Sequence, residues 1–308
     1  MRTTIKARRE ERAARTPLLE IAYEGWGSPA GYPILLLHGF PDDVRAWDQV
    51  APALAADGYR IIVPYLRGFG PTRFLDPSTP RAGEQAALGQ DILDLMDALA
   101  LPKAVLAGYD WGCTAGCAAA ILQPGRVAAL AAIHGYGVGD TATPELPAPA
   151  AEERECWYHW YFQIDRGRRG LEANRREISR LLWKSWSPNW KFSETMFDRT
   201  ARSFDNPDFV SVVIHAYRHS HGNAPGDPSF SAQERRLVQL PPITVPSVVL
   251  HGEEDTVHPP HRSLPLMGLF PGGTRRIVVP GAGHFVPREK PDAVIEAIRS
   301  LVPAGSTA

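Results

Sequence analysis

Charge of one sign is what this chain most lacks: 33 lysines and arginines stand against 34 aspartates and glutamates. So even a balance gives no general attraction to nucleic acid or to an anionic membrane. Long apolar runs are missing too, and none approaches the ~18–20 residues that a membrane-spanning helix needs. Cysteine is scarce. Cys113, Cys117 and Cys156 are the 3 in 308 residues, too few to read as a disulfide framework. Cys113 and Cys117 fall on one expected helix and read as small packing residues. The stretch from Met1 to Arg12 is charged and has no apolar segment of the kind a secretory signal carries. A cytoplasmic protein is therefore expected, with residues 1–17 as a loose or helical arm.

What is present is an ordinary globular balance, 44% hydrophobic and 22% charged. Residues 18–24 and 34–38 read as strands, and Ile34-Leu35-Leu36-Leu37 suits burial on both faces of a sheet. A helical pattern over roughly 45–57 closes at Asp57-Gly58, and Arg60 to Val63 is the next strand. A helix follows at about 84–100, with Ile92, Leu95, Met96 and Leu99 on one face. Ala104 to Ala107 is a further apolar run, and Val127 to Ile133 another buried strand. The alternation predicts an α/β fold, a mostly parallel sheet with helices on both faces.

The pattern changes near residue 139. Asp140 to Ala151 is rich in proline, alanine and threonine and reads as a linker. Helical segments near 152–166, 170–186, 193–204 and 207–219 follow, dense in aromatics. A second proline-rich passage, Gly222 to Pro246, leads back to strands at 247–251 and 276–279 and a helix from Pro291 to Leu301. The expected division is an arm at 1–17, a core at 18–138 and 241–308, and an all-helical cap at 139–240. A module inserted there sits over the carboxyl edge of the sheet, where ligands bind.

Gly108-Tyr109-Asp110-Trp111-Gly112 stands between an apolar run and a run of small residues. This is the spacing of a sharp strand-to-helix turn that presents a nucleophile. An aspartate at its centre is already anionic and needs no base to attack an electrophilic sp3 carbon. The alternative, a helix N-cap, leaves the two glycines unexplained. No serine occupies the turn, which argues against a serine-type esterase.

Other strand ends add to it. His38-Gly39-Phe40-Pro41 follows the Ile34–Leu37 run, where the Phe40 N–H can pair with that of Trp111 as an oxyanion hole. Gly281-Ala282-Gly283-His284 follows the Ile277–Val279 strand and offers His284 as general base. Asp255, in Gly252-Glu253-Glu254-Asp255, is the candidate to orient it; Glu253, Glu254 and Asp140 remain alternatives.

Nucleophile, acid and histidine in that chain order resemble the α/β-hydrolase fold family over about residues 18–302. Within it, G-x-D-W-G after H-G-F-P is similar to epoxide hydrolases and haloalkane dehalogenases. Arg67-Gly68-Phe69-Gly70 matches a family loop, D-x-R-G-x-G-x-S, with Tyr65 for the Asp and Thr72 for the Ser, a loop variation. Tyr158-His159-Trp160-Tyr161-Phe162-Gln163 and Ala216-Tyr217-Arg218-His219 match the cap segments whose tyrosines hold an epoxide oxygen. The resemblance thus implies Tyr158 and Tyr217 as proton donors and substrate contacts, with Tyr161 as the alternative to Tyr158. Phe40 stands where many dehalogenases carry a halide-binding Asn. The implied activity is hydrolysis of a small apolar epoxide by Asp110, His284 and Asp255, with Phe40 and Trp111 also at the substrate. Haloalkane dehalogenation and a non-catalytic ligand-binding role are the alternatives.

No metal or organic cofactor is expected. His215, His219 and His221 include a helical i, i+4 pair but no H-E-x-x-H motif, and read as cap-packing or surface residues. His38 reads as structural, and His258 and His261, flanking prolines, as residues of a solvated turn. Arg166, Arg168 and Arg169 read as a solvated face. Oligomeric state is not legible, a homodimer being one option.

Overall fold

The computed structural model describes residues 9–141 and 147–303. Its sheet contains β1 (Glu10–Arg15), β2 (Leu19–Trp26), β3 (Pro33–Leu37), β4 (Arg60–Pro64), β5 (Arg73–Phe74), β6 (Ala104–Tyr109), β7 (Val127–Ile133), β8 (Ser247–Gly252) and β9 (Thr274–Val279). The order is β1-β2-β4-β3-β6-β7-β8-β9, with β5 beside β2. β2 runs antiparallel to β1, β4 and β5; every other pairing is parallel. The carboxyl ends of β3, β6, β7, β8 and β9 therefore lie along one edge.

The expectation of a loose or helical arm is corrected. Residues 1–8 lie outside the described residues, but Glu10–Arg15 form an edge strand paired with β2. Only Ala14 of this strand is buried, so no apolar alternation announces it.

The core helices are α1 (Val50–Ala56), α2 (Gln85–Ala98) and α3 (Trp111–Leu122). The small residues of α3 let it lie close: Gly89 on α2 rests against Ala118, where an added Cβ would meet the Ala118 methyl. Cys113 and Cys117 are free and buried, as packing residues should be. The apolar run of β3 is wholly covered, each such side chain stabilising the fold by ~1.5–3 kcal/mol.

Between β7 and β8 come α4 (Ala150–Glu155), α5 (Trp157–Gln163), α6 (Asp165–Trp186), α7 (Glu194–Ala201), α8 (Phe209–Ser220) and α9 (Ser231–Leu237). No strand occurs among the described residues of this stretch. Of the expected linker at 140–151, residues 142–146 lie outside the described residues. The second proline-rich passage is not merely a linker. It contains α9, whose Glu234 accepts from the Ala86 N–H (2.7 Å) and Gln85 Nε2 (3.1 Å) at the start of α2. After β9 come α10 (Val286–Glu289) and α11 (Pro291–Leu301).

Candidate active site

Asp110 sits at the turn from β6 into α3 with φ +52° and ψ −124°, a conformation L-residues rarely adopt. The flanking glycines make it possible. A Cβ on Gly108 would run into the Gly112 carbonyl, and one on Gly112 into that of Leu37. The strained turn lifts the carboxylate off the sheet edge.

The two carboxylate oxygens have different partners. Oδ1 accepts from the N–H of Phe40 and the N–H of Trp111, both at 2.7 Å. Oδ2 faces the imidazole Nε2 atoms of His284 (3.7 Å) and His258 (3.9 Å), both beyond hydrogen-bond reach. Burial acts to raise the Asp110 pKa, but His284, His258 and the Phe40 N–H together hold it below the ordinary value. The carboxylate is therefore ionised at neutral pH.

His284 follows β9 and is fully buried. Its Nδ1 donates to Asp255 Oδ2 at 3.0 Å, and its backbone N–H donates to Ser187 Oγ at 2.8 Å. Asp255 Oδ1 is occupied by the N–H groups of Val257 (2.9 Å) and His258 (2.8 Å). Burial opposes charge on both residues, yet their attraction prevails: Asp255 is driven far below the usual carboxylate range. His284, facing Asp255 and Asp110, is lifted to about 9. The competing acids are engaged elsewhere. Glu253 accepts from the Gly281 N–H (3.1 Å), Glu254 from Asn189 (2.8 Å), and Asp140 lines the cavity beside the site.

Two histidines of this site were not expected. His134, at the end of β7, accepts the Asp110 N–H on Nδ1 (3.1 Å) and directs Nε2–H at the His284 carbonyl oxygen (3.0 Å) and Asp255 Oδ2 (3.3 Å). Burial and the His284 charge push its pKa well down, so the ring is neutral. His258 keeps the solvent contact expected of its turn, its side chain 44% exposed, but it also borders the site. Its ring stacks on that of His134, centroids 5.2 Å apart, because the Asp255 carboxylate folds the following backbone inward. His261 does remain exposed. Each was a lone histidine on a strand-end loop, without a motif to mark it.

A cavity of about 370 Å³ opens over Asp110. Tyr158 of α5 and Tyr217 of α8 both line it, with rings perpendicular and centroids 5.3 Å apart. Burial pushes both hydroxyl pKa values well above 10, so both stay protonated. Gln163 donates to the carbonyls of His159 (2.8 Å) and Tyr217 (2.9 Å), pinning the two helices together. Tyr161 does not line the cavity; its hydroxyl lies over Gly170 of α6. The wall is mixed, with Trp111, Leu88 and Tyr136 apolar and Glu84, Asp140 and His219 polar.

His215 accepts the Gly83 N–H on Nδ1 (3.0 Å) and directs Nε2–H at the Pro225 carbonyl (3.0 Å), a packing role. His38 is likewise structural, its Nε2 accepting the Leu66 N–H at 3.0 Å. Among the described residues, His134, Asp255 and His284 offer three atoms close enough to share a cation. Those atoms already pair with one another or with a carbonyl, an arrangement that suits an oriented base. The variant loop is intact: Arg67 grips Asp91 through two bonds of 2.7 Å, and Thr72 donates to the Tyr65 carbonyl at 2.8 Å.

A family model described as alpha/beta hydrolase fold matches residues 32–291. Epoxide hydrolase A of Mycobacterium tuberculosis is 26% identical, the match covering 88% of this chain and 90% of that protein. An epoxide hydrolase of Caballeronia sordidicola is 27% identical, over 87% of each. The crystal structure of a provisionally assigned epoxide hydrolase from Klebsiella pneumoniae superposes with a TM-score of 0.92. It is 41% identical, covering 95% of this chain and 97% of that one.

Proposed function

This chain belongs to the α/β-hydrolase fold family, and within it we propose that it hydrolyses an epoxide to a vicinal diol through a covalent ester on Asp110. Residues 139–240 act as the cap over a core that starts at β1 and resumes at 241. The observation that carries the reading is the pair Tyr158 and Tyr217, both protonated and facing the same cavity as Asp110. Ring opening develops negative charge on the leaving oxygen, which requires a proton donor; a departing halide requires none.

Asp110 Oδ2 attacks an epoxide carbon. The new C–O bond forms as the ring C–O bond breaks, and the released electron pair is protonated by the tyrosine hydroxyls. Asp110 Oδ1 remains the carbonyl oxygen of the ester, still held by the Phe40 and Trp111 N–H groups. His284, having lost its resting Nε2 proton to solvent once the ester forms, then takes a proton from water, which adds to the Asp110 carbonyl carbon. The oxyanion collapses and the diol oxygen leaves, taking the proton held by His284; the Asp110 acid then passes its proton to the neutral imidazole, which restores the resting pair.

His284 changes role between the steps for an electrostatic reason. At rest, Asp255 and Asp110 together hold it protonated, at about 9. Esterification removes the Asp110 charge, the imidazolium loses one of its two supports, and its pKa falls towards the range of a useful base. The apolar wall around Trp111 suits an alkyl or aryl epoxide.

Product analysis tests the reading. Styrene oxide should give its diol, while chloro- and bromoalkanes should release no halide. Halide without diol would contradict it.

A further inference from the structure

Tyr158 does not stand alone. Its hydroxyl is 3.0 Å from His159 Nε2, and His159 Nδ1 is 3.4 Å from His221 Nε2. His221 Nδ1 lies 3.0 Å from both Ser220 Oγ and the Tyr217 carbonyl oxygen. His221 is partly exposed and borders both the catalytic cavity and an adjoining cleft of about 460 Å³ that also touches Arg262. Burial first, then the neighbouring His221 and more weakly His258 and Arg262, push His159 down to about 3 against a small opposing pull from Asp110, so the ring is neutral at rest.

We propose that Ser220, His221 and His159 form a proton relay that resupplies Tyr158 from solvent as it protonates the epoxide oxygen. The inference rests on the reading of Tyr158 as proton donor. A neutral imidazole carries one N–H and one lone pair, so only two complete orientations of this chain exist. In the first, His221 Nδ1–H donates to the Tyr217 carbonyl, His159 Nδ1–H to His221 Nε2, and the Tyr158 hydroxyl to His159 Nε2. In the second every donor is reversed. Ser220 Oγ–H donates to His221 Nδ1, His221 Nε2–H to His159 Nδ1, and His159 Nε2–H to the Tyr158 oxygen. Only the second frees the Tyr158 proton for substrate.

One turnover converts the second orientation into the first. Tyr158 gives its proton to the epoxide oxygen. His159 passes the Nε2 proton to the tyrosinate, His221 passes its Nε2 proton to His159 Nδ1, and Ser220 passes one to His221 Nδ1, drawing its replacement from water. The sum is one solvent proton consumed and one alkoxide neutralised. The Tyr217 carbonyl accepts from Gln163 in both orientations, so reversal strands no acceptor.

The test is ester formation on Asp110 in a single turnover of styrene oxide, in mixtures of light and heavy water. Wild type should give a bowed dependence on deuterium fraction, as several protons move together. His159→Gln and His221→Phe should form the ester roughly tenfold more slowly, a part of the ~10²–10⁴-fold that a general acid supplies. Their deuterium dependence should become linear, and added imidazole should restore His221→Phe. Slow variants that keep the bowed dependence would assign these rings to packing and overturn the relay. Wild-type rates in both variants, with Tyr158→Phe impaired, would overturn the relay and leave the donor standing. A wild-type rate in Tyr158→Phe would remove the donor and the relay together.

Discussion

His134 lies flat against His284, ring centroids 4.2 Å apart and planes 20° from parallel. The same ring accepts the backbone N–H of the proposed nucleophile and reaches the carbonyl of the proposed base. From the end of β7 it therefore ties the end of β6 to the loop after β9. His134→Phe preserves the flat contact and deletes both hydrogen bonds. The stranded Asp110 N–H should cost ~1–3 kcal/mol, read as a lower urea midpoint, with kcat falling as Asp110 and His284 lose registration. An unchanged midpoint and kcat would show that the stacking alone matters.

The proton on His284 should be visible in stability. Its folded pKa of about 9 lies above the ordinary 6.5, so the native state binds this proton more tightly than the unfolded chain. The resulting stability is complete below the unfolded value and disappears as pH rises through the folded one. Asp43 and Glu84, each pushed up to about 7 with burial as the main cause, act in the same direction at lower pH. The comparison therefore belongs between about pH 7.5 and 9. Asp110→Asn should lower the His284 titration midpoint by NMR and flatten the fall in stability over that window. An unmoved midpoint would mean that Asp110 does not feel the imidazole.

Much of this arrangement was legible because strand ends in a parallel sheet share an edge. Once Phe40, Asp110, Asp255 and His284 are assigned to the ends of parallel strands of one sheet, their convergence follows. The rest lacked a local signal. Edge strand β1 buries only Ala14, so nothing in its charged sequence alternates visibly. His134 and His258 enter the site through backbone turns set by their neighbours, and single histidines carry no spacing to read. Tyr158 and Tyr161 share one helix turn, and it is the fold that turns Tyr158 to the cavity and lays the Tyr161 hydroxyl over Gly170.

A buried ion pair within the core also reaches the helical insert. Arg288 of α10 donates to both oxygens of Asp42, two residues after Phe40, and its Nη2 reaches Thr200 of α7 at 2.7 Å. Tyr109, beside the nucleophile, also donates to Asp42. Arg288→Met leaves the Asp42 charge buried without its cation and should cost ~3–5 kcal/mol in urea unfolding. Replacing Asp42 as well, by Leu, should recover much of that loss. A single variant as stable as wild type would remove Arg288 from this role.

The central claim is that Asp110 becomes covalently attached to its substrate and that His284 releases it. Intact-mass analysis of His284→Gln after exposure to styrene oxide tests this most directly. The account predicts a protein heavier by one epoxide, with the added mass mapping to Asp110 in the peptide digest and absent from Asp110→Asn. An unmodified mass under conditions where the wild-type protein turns over the epoxide would contradict it.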